Sequence, residues 1–368
     1  MNNSECSKSP DVSYGLLNSI YCTVSQSMLT NNQLPSSPNP FKNVVIFSGR
    51  SCDGLAHSIC DKLDMTLGNL NIENFANGEI NIEICESVRF KDVIIVQSPS
   101  QYEGNSINDF IMETLFLIDA CHRSNSRKIV LVIPNFPYAR SDKKDHRGPI
   151  SSKCVMDILT RYVNRIITVD LHAGQIQAFP SIPCDNLYAI NQLCDSIKIN
   201  IINHITNPND NFVLISPDAG GVRRVNEYSE KLHINNVSLS KFRDYTTVNT
   251  VSKSTLVGDV TLVKNKTGII IDDMIDTMGT MMSGIKELET HGISNIVIVA
   301  THGILSGKAI ERINNCDLIK NVIVTNSVSQ QYTTSKCSKL IVVDISTYIA
   351  EVLNRFITGG SISELFNR

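Results

Sequence analysis

The chain has 368 residues, a net charge of −3, and 42% hydrophobic and 19% charged residues, a length that suggests two domains or one large one and a composition ordinary for a globular protein. That charge argues against nucleic-acid or membrane-surface partners, and no apolar run approaches the roughly 18 residues of a membrane span. Eleven scattered cysteines without a C-x-x-C pair indicate reduced thiols and a cytoplasmic setting, and argue against a zinc site.

Residues 1–42 are rich in Ser, Asn and Pro and lack Arg. They make a poor organelle-targeting presequence and have no signal-peptide core. They read as a mostly disordered extension in which residues 15–29 could form one helix. From residue 43 onward, short apolar runs alternate with helical patterns. Strands are predicted at 44–47, 93–96, 129–133, 166–171, 213–215, 269–271, 296–299, 322–324 and 340–343. They are rich in Val and Ile and largely free of polar interruptions, as parallel strands covered on both faces are. Such alternation predicts an α/β architecture with right-handed crossovers and with ligands at the carboxyl ends of the strands. The number of strands fits two sheets better than one, with a boundary near Asn186.

In chain order, the first chemical signal is Asn74-Phe75-Ala76-Asn77-Gly78-Glu79. It combines an aromatic face with amide and carboxylate groups, which suits a purine and equally a simple turn. The run from Tyr138 to Pro149, with Arg140, Asp142 and Lys143, follows the strand 129–133. A solvated loop is the usual explanation for so many charges. Its place after a strand favours polyphosphate contact, with Arg for bidentate contact and Lys as a point charge. His172 also follows a strand and stands two residues after Asp170, so it is a candidate magnesium or nucleotide contact. In Ser216-Pro217-Asp218-Ala219-Gly220-Gly221-Val222-Arg223-Arg224, two glycines let backbone approach an anion, and Asp218 can hold a metal that carries phosphate oxygens; Pro-Asp and Gly-Gly also make ordinary turns. Lys241 and Arg243, two apart after a short strand at 237–239, could stabilise charge on a transferred phosphoryl group.

The densest signal runs from Gly268 to Thr280. An apolar strand ends in Asp272 and Asp273, a loop of small residues follows, and a helical pattern begins at Met281 and is closed by Gly292. Backbone N–H groups of the loop and the helix N-terminus, with the Thr277 and Thr280 hydroxyls, can hold a phosphate. The aspartates can accept hydrogen bonds from vicinal ribose hydroxyls. This run resembles the phosphoribosyl pyrophosphate motif of the type I phosphoribosyltransferase fold.

Taken together and in this order, the segments resemble the ribose-phosphate pyrophosphokinases (phosphoribosyl pyrophosphate synthetases) over residues 43–368. The resemblance implies two tandem type I phosphoribosyltransferase-like domains, each a mainly parallel sheet flanked by helices, at 43–186 and 187–352, with 353–368 packing on the first. It implies transfer of the β,γ-diphosphoryl group of ATP to O1 of ribose 5-phosphate, with Mg2+ as cofactor, in homo-oligomers of dimers that assemble to a hexamer. By position it implies a ribose 5-phosphate site at Asp272, Asp273, Asp276, Thr277, Gly279 and Thr280. Lys241 and Arg243 become catalytic cations, and His172 and Asp218 metal-associated residues. Phe75, Asn77 and Glu79 become adenine contacts, shared across a dimer interface with Arg140, Asp142 and Lys143. Ser87, Arg89, Ser361 and Ser363 become regulatory contacts.

The chain departs from the family pattern at three places. Ser141 replaces a common Gln, the 143–149 loop is one residue short, and Met278 replaces a small residue. Met278 is compatible with backbone phosphate contacts provided its φ is negative. Two other functions compete. A salvage phosphoribosyltransferase would not need the second α/β domain, and a silent regulatory subunit would not need an intact set of charged site residues.

Overall fold

A computed structural model describes residues 39–242 and 253–365. The helix expected at 15–29, and Arg243, lie outside the described residues. The chain divides into Met1–Lys42 and Asn43–Arg368. In the first unit the described part is residues 39–42, where the Phe41 N–H donates to Asn39 Oδ1 at 2.9 Å.

The second unit begins with β1 (Val44–Ser48), α1 (Asp53–Lys62), β2 (Leu70–Asn74), β3 (Ile80–Ile84), β4 (Asp92–Val96), α2 (Ile107–Arg123) and β5 (Lys128–Val132). It continues through α3 (Ser151–Leu159), β6 (Arg165–Val169) and β7 (Cys184–Leu187). Five of these strands form a parallel sheet in the order β1-β4-β5-β6-β7. The central residues of β1, β4, β5 and β6 are buried, which is why these four strands are rich in Val and Ile. α2 covers one face. Its buried residues Phe110, Ile111, Thr114, Leu117, Ile118 and Cys121 recur at three- and four-residue spacing. Full burial of each large apolar side chain contributes roughly 1.5–3 kcal/mol. A reciprocal cap starts this helix: Ser106 N–H donates to Asp109 Oδ2 at 2.7 Å, and Asp109 N–H donates to Ser106 Oγ at 3.4 Å.

The second sheet follows α4 (Ile190–Ile197) and α5 (Pro208–Asn211). It contains β8 (Phe212–Ser216), α6 (Val222–Leu232), β9 (Asn236–Phe242), β10 (Lys253–Val257), β11 (Thr267–Ile275) and α7 (Gly279–Thr290). Then come β12 (Asn295–Gly303), α8 (Ala309–Asn314), β13 (Ile319–Thr325), β14 (Leu340–Val343) and α9 (Ser346–Thr358). The seven strands run β10-β9-β8-β11-β12-β13-β14, all pairings parallel except β9 with β10. α9 returns to pack against α1. Gly284 lets α7 approach β9, because a Cβ there would stand 2.7 Å from Leu239 Cδ1. No helix of the described residues is long and apolar enough to cross a membrane.

The architecture is the expected one of mainly parallel sheets flanked by helices. Four strands go beyond the sequence-based expectation: β2, β3, β7 and β10. β2 and β3 form a separate, half-exposed antiparallel hairpin whose apolar residues alternate with Asn and Glu. β7 is four residues long and two of them are polar. Its range runs past Asn186, where the boundary was expected. The strand predicted at 166–171 stops at Val169, because Asp170 takes a left-handed φ of 42°. β11 is longer than expected, so Asp272 and Asp273 lie within the strand.

Candidate active site

The carboxyl ends of β6, β8 and β11 meet around a cavity of about 460 Å³. Its lining includes Arg140, His172, Asp218, Gly220, Gly221, Arg224 and the run from Asp272 to Met281. The fold positions each of these differently. β11 is central in its sheet: β8 pairs with it up to Ile270 and β12 as far as Ile275, so its carboxyl end is held by β12. Asp218 stands at the turn after β8, where its Oδ1 accepts from Gly220 N–H at 3.0 Å and Gly221 N–H at 3.1 Å. This carboxylate therefore shapes the glycine turn that borders the cavity.

Two acid–base clusters organise the floor. Asp273 is buried and its Oδ2 lies 2.7 Å from His172 Nδ1, across 101 residues of sequence. Arg224 Nη1 donates to Asp273 Oδ1 at 3.3 Å and to Asp272 Oδ1 at 3.4 Å. Burial opposes ionisation of Asp273, but the His172 hydrogen bond and the Arg224 guanidinium overcome it and hold the carboxyl well below the usual range. Asp272 moves the other way, raised by burial and by the neighbouring Asp273 charge. The hydrogen bond to Asp273 raises His172 above its ordinary value. Burial disfavours the Arg224 charge, and Asp273, Asp272 and Asp170 more than offset it.

The second cluster surrounds Asp276. Arg140 Nη1 donates to its Oδ2 at 2.7 Å, and the Ser306 hydroxyl donates to its Oδ1. Asp276 thus ties the loop after β11 to the charged loop of the first sheet. Arg312 Nη1 donates to the Thr277 carbonyl at 2.5 Å and braces the turn into α7.

Met278 contradicts the condition set for it, since its φ is +67°. A left-handed residue reverses the chain between the strand and α7. The conformation costs an L residue about 1–2 kcal/mol. The Met278 side chain is 4% exposed in the core under the sheet, and its burial, worth roughly 1.5–3 kcal/mol, offsets that strain. Ser141 secures the start of α3, since its Oγ accepts from Ser151 N–H at 3.2 Å and its carbonyl accepts from the Ser152 hydroxyl at 2.7 Å.

Of the predicted site residues, Arg140, His172, Asp218, Asp272, Asp273, Asp276, Thr277, Gly279 and Thr280 line this one cavity. Phe75, Asn77 and Glu79 do not line it. They form the exposed turn between β2 and β3, closed by Phe75 N–H to Glu79 O at 2.8 Å, with Gly78 at a φ of +91°. Asp142 accepts from Gln175 Nε2 at 2.5 Å, and Lys143 is exposed. Ser87, Arg89, Ser361 and Ser363 are exposed away from the cavity lining. Lys241 is in β9, paired with Ser254 of β10. Arg224 belongs to the glycine loop singled out in the sequence, where it was given no role of its own. Ser306 and Arg312, which brace Asp276 and Thr277, were missed by sequence reasoning because they meet that loop only through the fold.

A family model described as the N-terminal domain of ribose phosphate pyrophosphokinase matches residues 44–162. A second, described as the phosphoribosyl synthetase-associated domain, matches residues 233–367. Among solved structures, the chain is similar to the phosphoribosylpyrophosphate synthetase of Mycobacterium smegmatis, with 34% identity and a TM-score of 0.77 over 87% of this chain and 100% of that one. The adenine phosphoribosyl transferase of Trypanosoma brucei matches at 17% identity and a TM-score of 0.29, over 43% of this chain and 65% of its own. At so low a TM-score that second likeness carries no weight.

Proposed function

The chain belongs to the ribose phosphate pyrophosphokinase family, and from that premise we propose that it transfers the β,γ-diphosphoryl group of ATP to O1 of ribose 5-phosphate. As the new O1–phosphorus bond forms, O1 loses its proton and the bond between the β-phosphorus and the α,β-bridging oxygen breaks. The products are phosphoribosyl pyrophosphate and AMP. The observation that best supports this reading is the single cavity in which the β11 carboxylates and the loop into α7 face Arg140 and His172 from the other sheet.

In this reading the 5-phosphate rests on the N–H groups of residues 277–280 at the α7 N-terminus, with the Thr277 and Thr280 hydroxyls beside it. Asp272, Asp273 and Asp276 form the ribose end of the site. Lys241 and Arg243 supply positive charge to the reacting phosphoryl group, where catalysis of this kind rests on positioning and electrostatics. Phe75, Asn77 and Glu79 hold the adenine together with Arg140, Asp142 and Lys143 of a neighbouring subunit, in dimers that assemble further to a hexamer. Ser87, Arg89, Ser361 and Ser363 serve regulation, and the protein works in the cytoplasm.

Among the described residues no group of three or more His, Cys, Asp or Glu converges as a metal cage. The donors at hand are the Asp272 carboxylate, Asp218 and the His172 nitrogen not engaged by Asp273. That set fits Mg2+ carried on the nucleotide, since Mg2+ is commonly held by one or two carboxylates together with substrate phosphates and water. When bound, the ion would neutralise phosphate charge.

The test is an assay of the purified chain with ATP, Mg2+ and ribose 5-phosphate, following AMP and phosphoribosyl pyrophosphate together. Equimolar appearance of both is the expected result. ADP in place of AMP would mean transfer of a single phosphoryl group. Neither product from a folded sample would favour a silent subunit.

A further inference from the structure

His172 reaches Asp273 from a different sheet, so something must hold the two sheet ends in register. The turn that carries His172 begins at Asp170, whose φ of 42° is a conformation L residues rarely adopt and keep only when their surroundings enforce it. Some restraints come from the first sheet itself: Asp170 N–H donates to Leu187 O at 2.8 Å, Ala189 N–H donates to Asp170 Oδ2 at 3.0 Å, and Leu171 N–H donates to Asn186 Oδ1 at 3.0 Å.

The others come from β12 of the second sheet. The Thr301 hydroxyl donates to Asp170 Oδ2 at 2.6 Å. His302 Nε2 lies 3.0 Å from Val169 O and 3.3 Å from Asp170 O. Both of these partners are carbonyls and only accept, so Nε2 carries the proton; Nδ1 lies 2.9 Å from the Ser327 hydroxyl, which is also 3.0 Å from Thr301 O. Thr301 and His302 are 3% and 2% exposed, and Thr301 borders a second cavity of about 670 Å³ together with Asp170 and His172. β12 is also the neighbour of β11, with Asp272 opposite Ala300 and Met274 opposite His302. The His172 turn and Asp273 are thus referenced to the same strand.

We propose that Thr301 and His302 are positioning residues, which clamp the Asp170–His172 turn of the first sheet onto β12 and thereby fix His172 against Asp273 for phosphoryl transfer. The inference rests on reading the cavity as the transfer site. Neither residue lines the cavity of about 460 Å³, so their effect is exerted through Asp170 and His172.

Thr301→Val keeps the side-chain shape and removes only the hydroxyl. It is expected to lower kcat about 10- to 100-fold, the scale of a misplacement near 1 Å, with the KM for ribose 5-phosphate within about two-fold and the variant still folded. Thr301→Ser restores the hydroxyl and is expected to recover most of kcat. A crystal structure of Thr301→Val should show His172 Nδ1 beyond hydrogen-bonding distance of Asp273 Oδ2. Wild-type kcat in Thr301→Val, or equal defects in Thr301→Val and Thr301→Ser, would overturn the proposal, as would lost kcat with the His172–Asp273 contact intact. Should Thr301→Val fail to fold, Ser327→Ala removes the hydroxyl that meets both His302 Nδ1 and Thr301 O and leaves the Thr301 side chain in place. A smaller fall in kcat supports the clamp and an unchanged kcat rejects it. Failure of the wild-type chain to form product would instead reject the functional reading, and the crystallographic distance would still decide the clamp.

Discussion

The end of β11 and the tip of the β2–β3 hairpin are both assigned to substrate, yet they are built in opposite ways. At the end of β11, Asp273 is held by His172 and Arg224, Asp276 by Arg140 and Ser306, and the Thr277 carbonyl by Arg312. At the hairpin tip the turn closes mainly on its own backbone, and Phe75 is 55% exposed. A preorganised pocket has its polar groups fixed before substrate arrives. The hairpin tip, by contrast, leaves its aromatic residue in solvent. In the reading proposed above, the ribose end lies within one chain and a second chain would complete the nucleotide end.

The largest expected effect belongs to the built end. Asp273→Asn leaves Arg224 and His172 without their shared anion and should lower kcat/KM at least about 100-fold, measured with the two-product assay at equal folded concentration. A loss of less than about three-fold would remove Asp273 from the catalytic centre. At the unfinished end, Phe75→Ala should raise the KM for ATP about ten-fold with kcat little changed, as loss of uniform binding does. Lost kcat at unchanged KM would mean that the ring acts in the transition state instead.

The pH response separates the two ends further. His172 is raised above its ordinary value of about 6.5 by Asp273. Its protonation therefore contributes stability that is fully present below about pH 6.5 and is lost as pH rises through the folded-state value. Asp273 is depressed, so its contribution is present above its unfolded value and is lost as pH falls through the folded one. Denaturant unfolding between pH 5 and 9 should show the decline assigned to His172 in the wild type and not in Asp273→Asn, and NMR titration of the His172 ring should follow the same pattern. An unshifted His172 in the wild-type chain would contradict the ion pair. The smallest effect lies at Met278. Met278→Gly relieves the left-handed strain of about 1–2 kcal/mol but gives up roughly 1.5–3 kcal/mol of burial. A net loss near 1 kcal/mol is expected from equilibrium unfolding. A net gain would mean that the side chain contributes little to the core.

The same contrast explains what was legible in the sequence. The run Asp272–Thr280 announces itself because strand, loop and helix follow one another, and each local preference agrees with the fold. The buried parallel strands were legible as Val and Ile runs. The hairpin strands were not, because a half-exposed pair needs only alternate apolar residues, and its Asn and Glu read as loop. The meeting of His172 with Asp273 was beyond sequence reasoning, since it depends on how two sheets dock across 101 residues. So was the sign of φ at Met278, where burial outweighs a backbone preference.

The most direct test of the division between the two ends is complementation between two defective chains, assayed with ATP below its wild-type KM, where a weakened nucleotide end limits the rate. One carries Asp273→Asn, and the other carries Phe75→Ala with Glu79→Ala. If each site takes its ribose end from one chain and its hairpin from another, co-expressed equal amounts of the two should recover activity, because about one quarter of the sites would combine two intact halves under random pairing in symmetric dimers. If each hairpin serves its own chain, every site in the mixture carries a defect, and the absence of recovered activity in verified mixed oligomers would contradict the shared site.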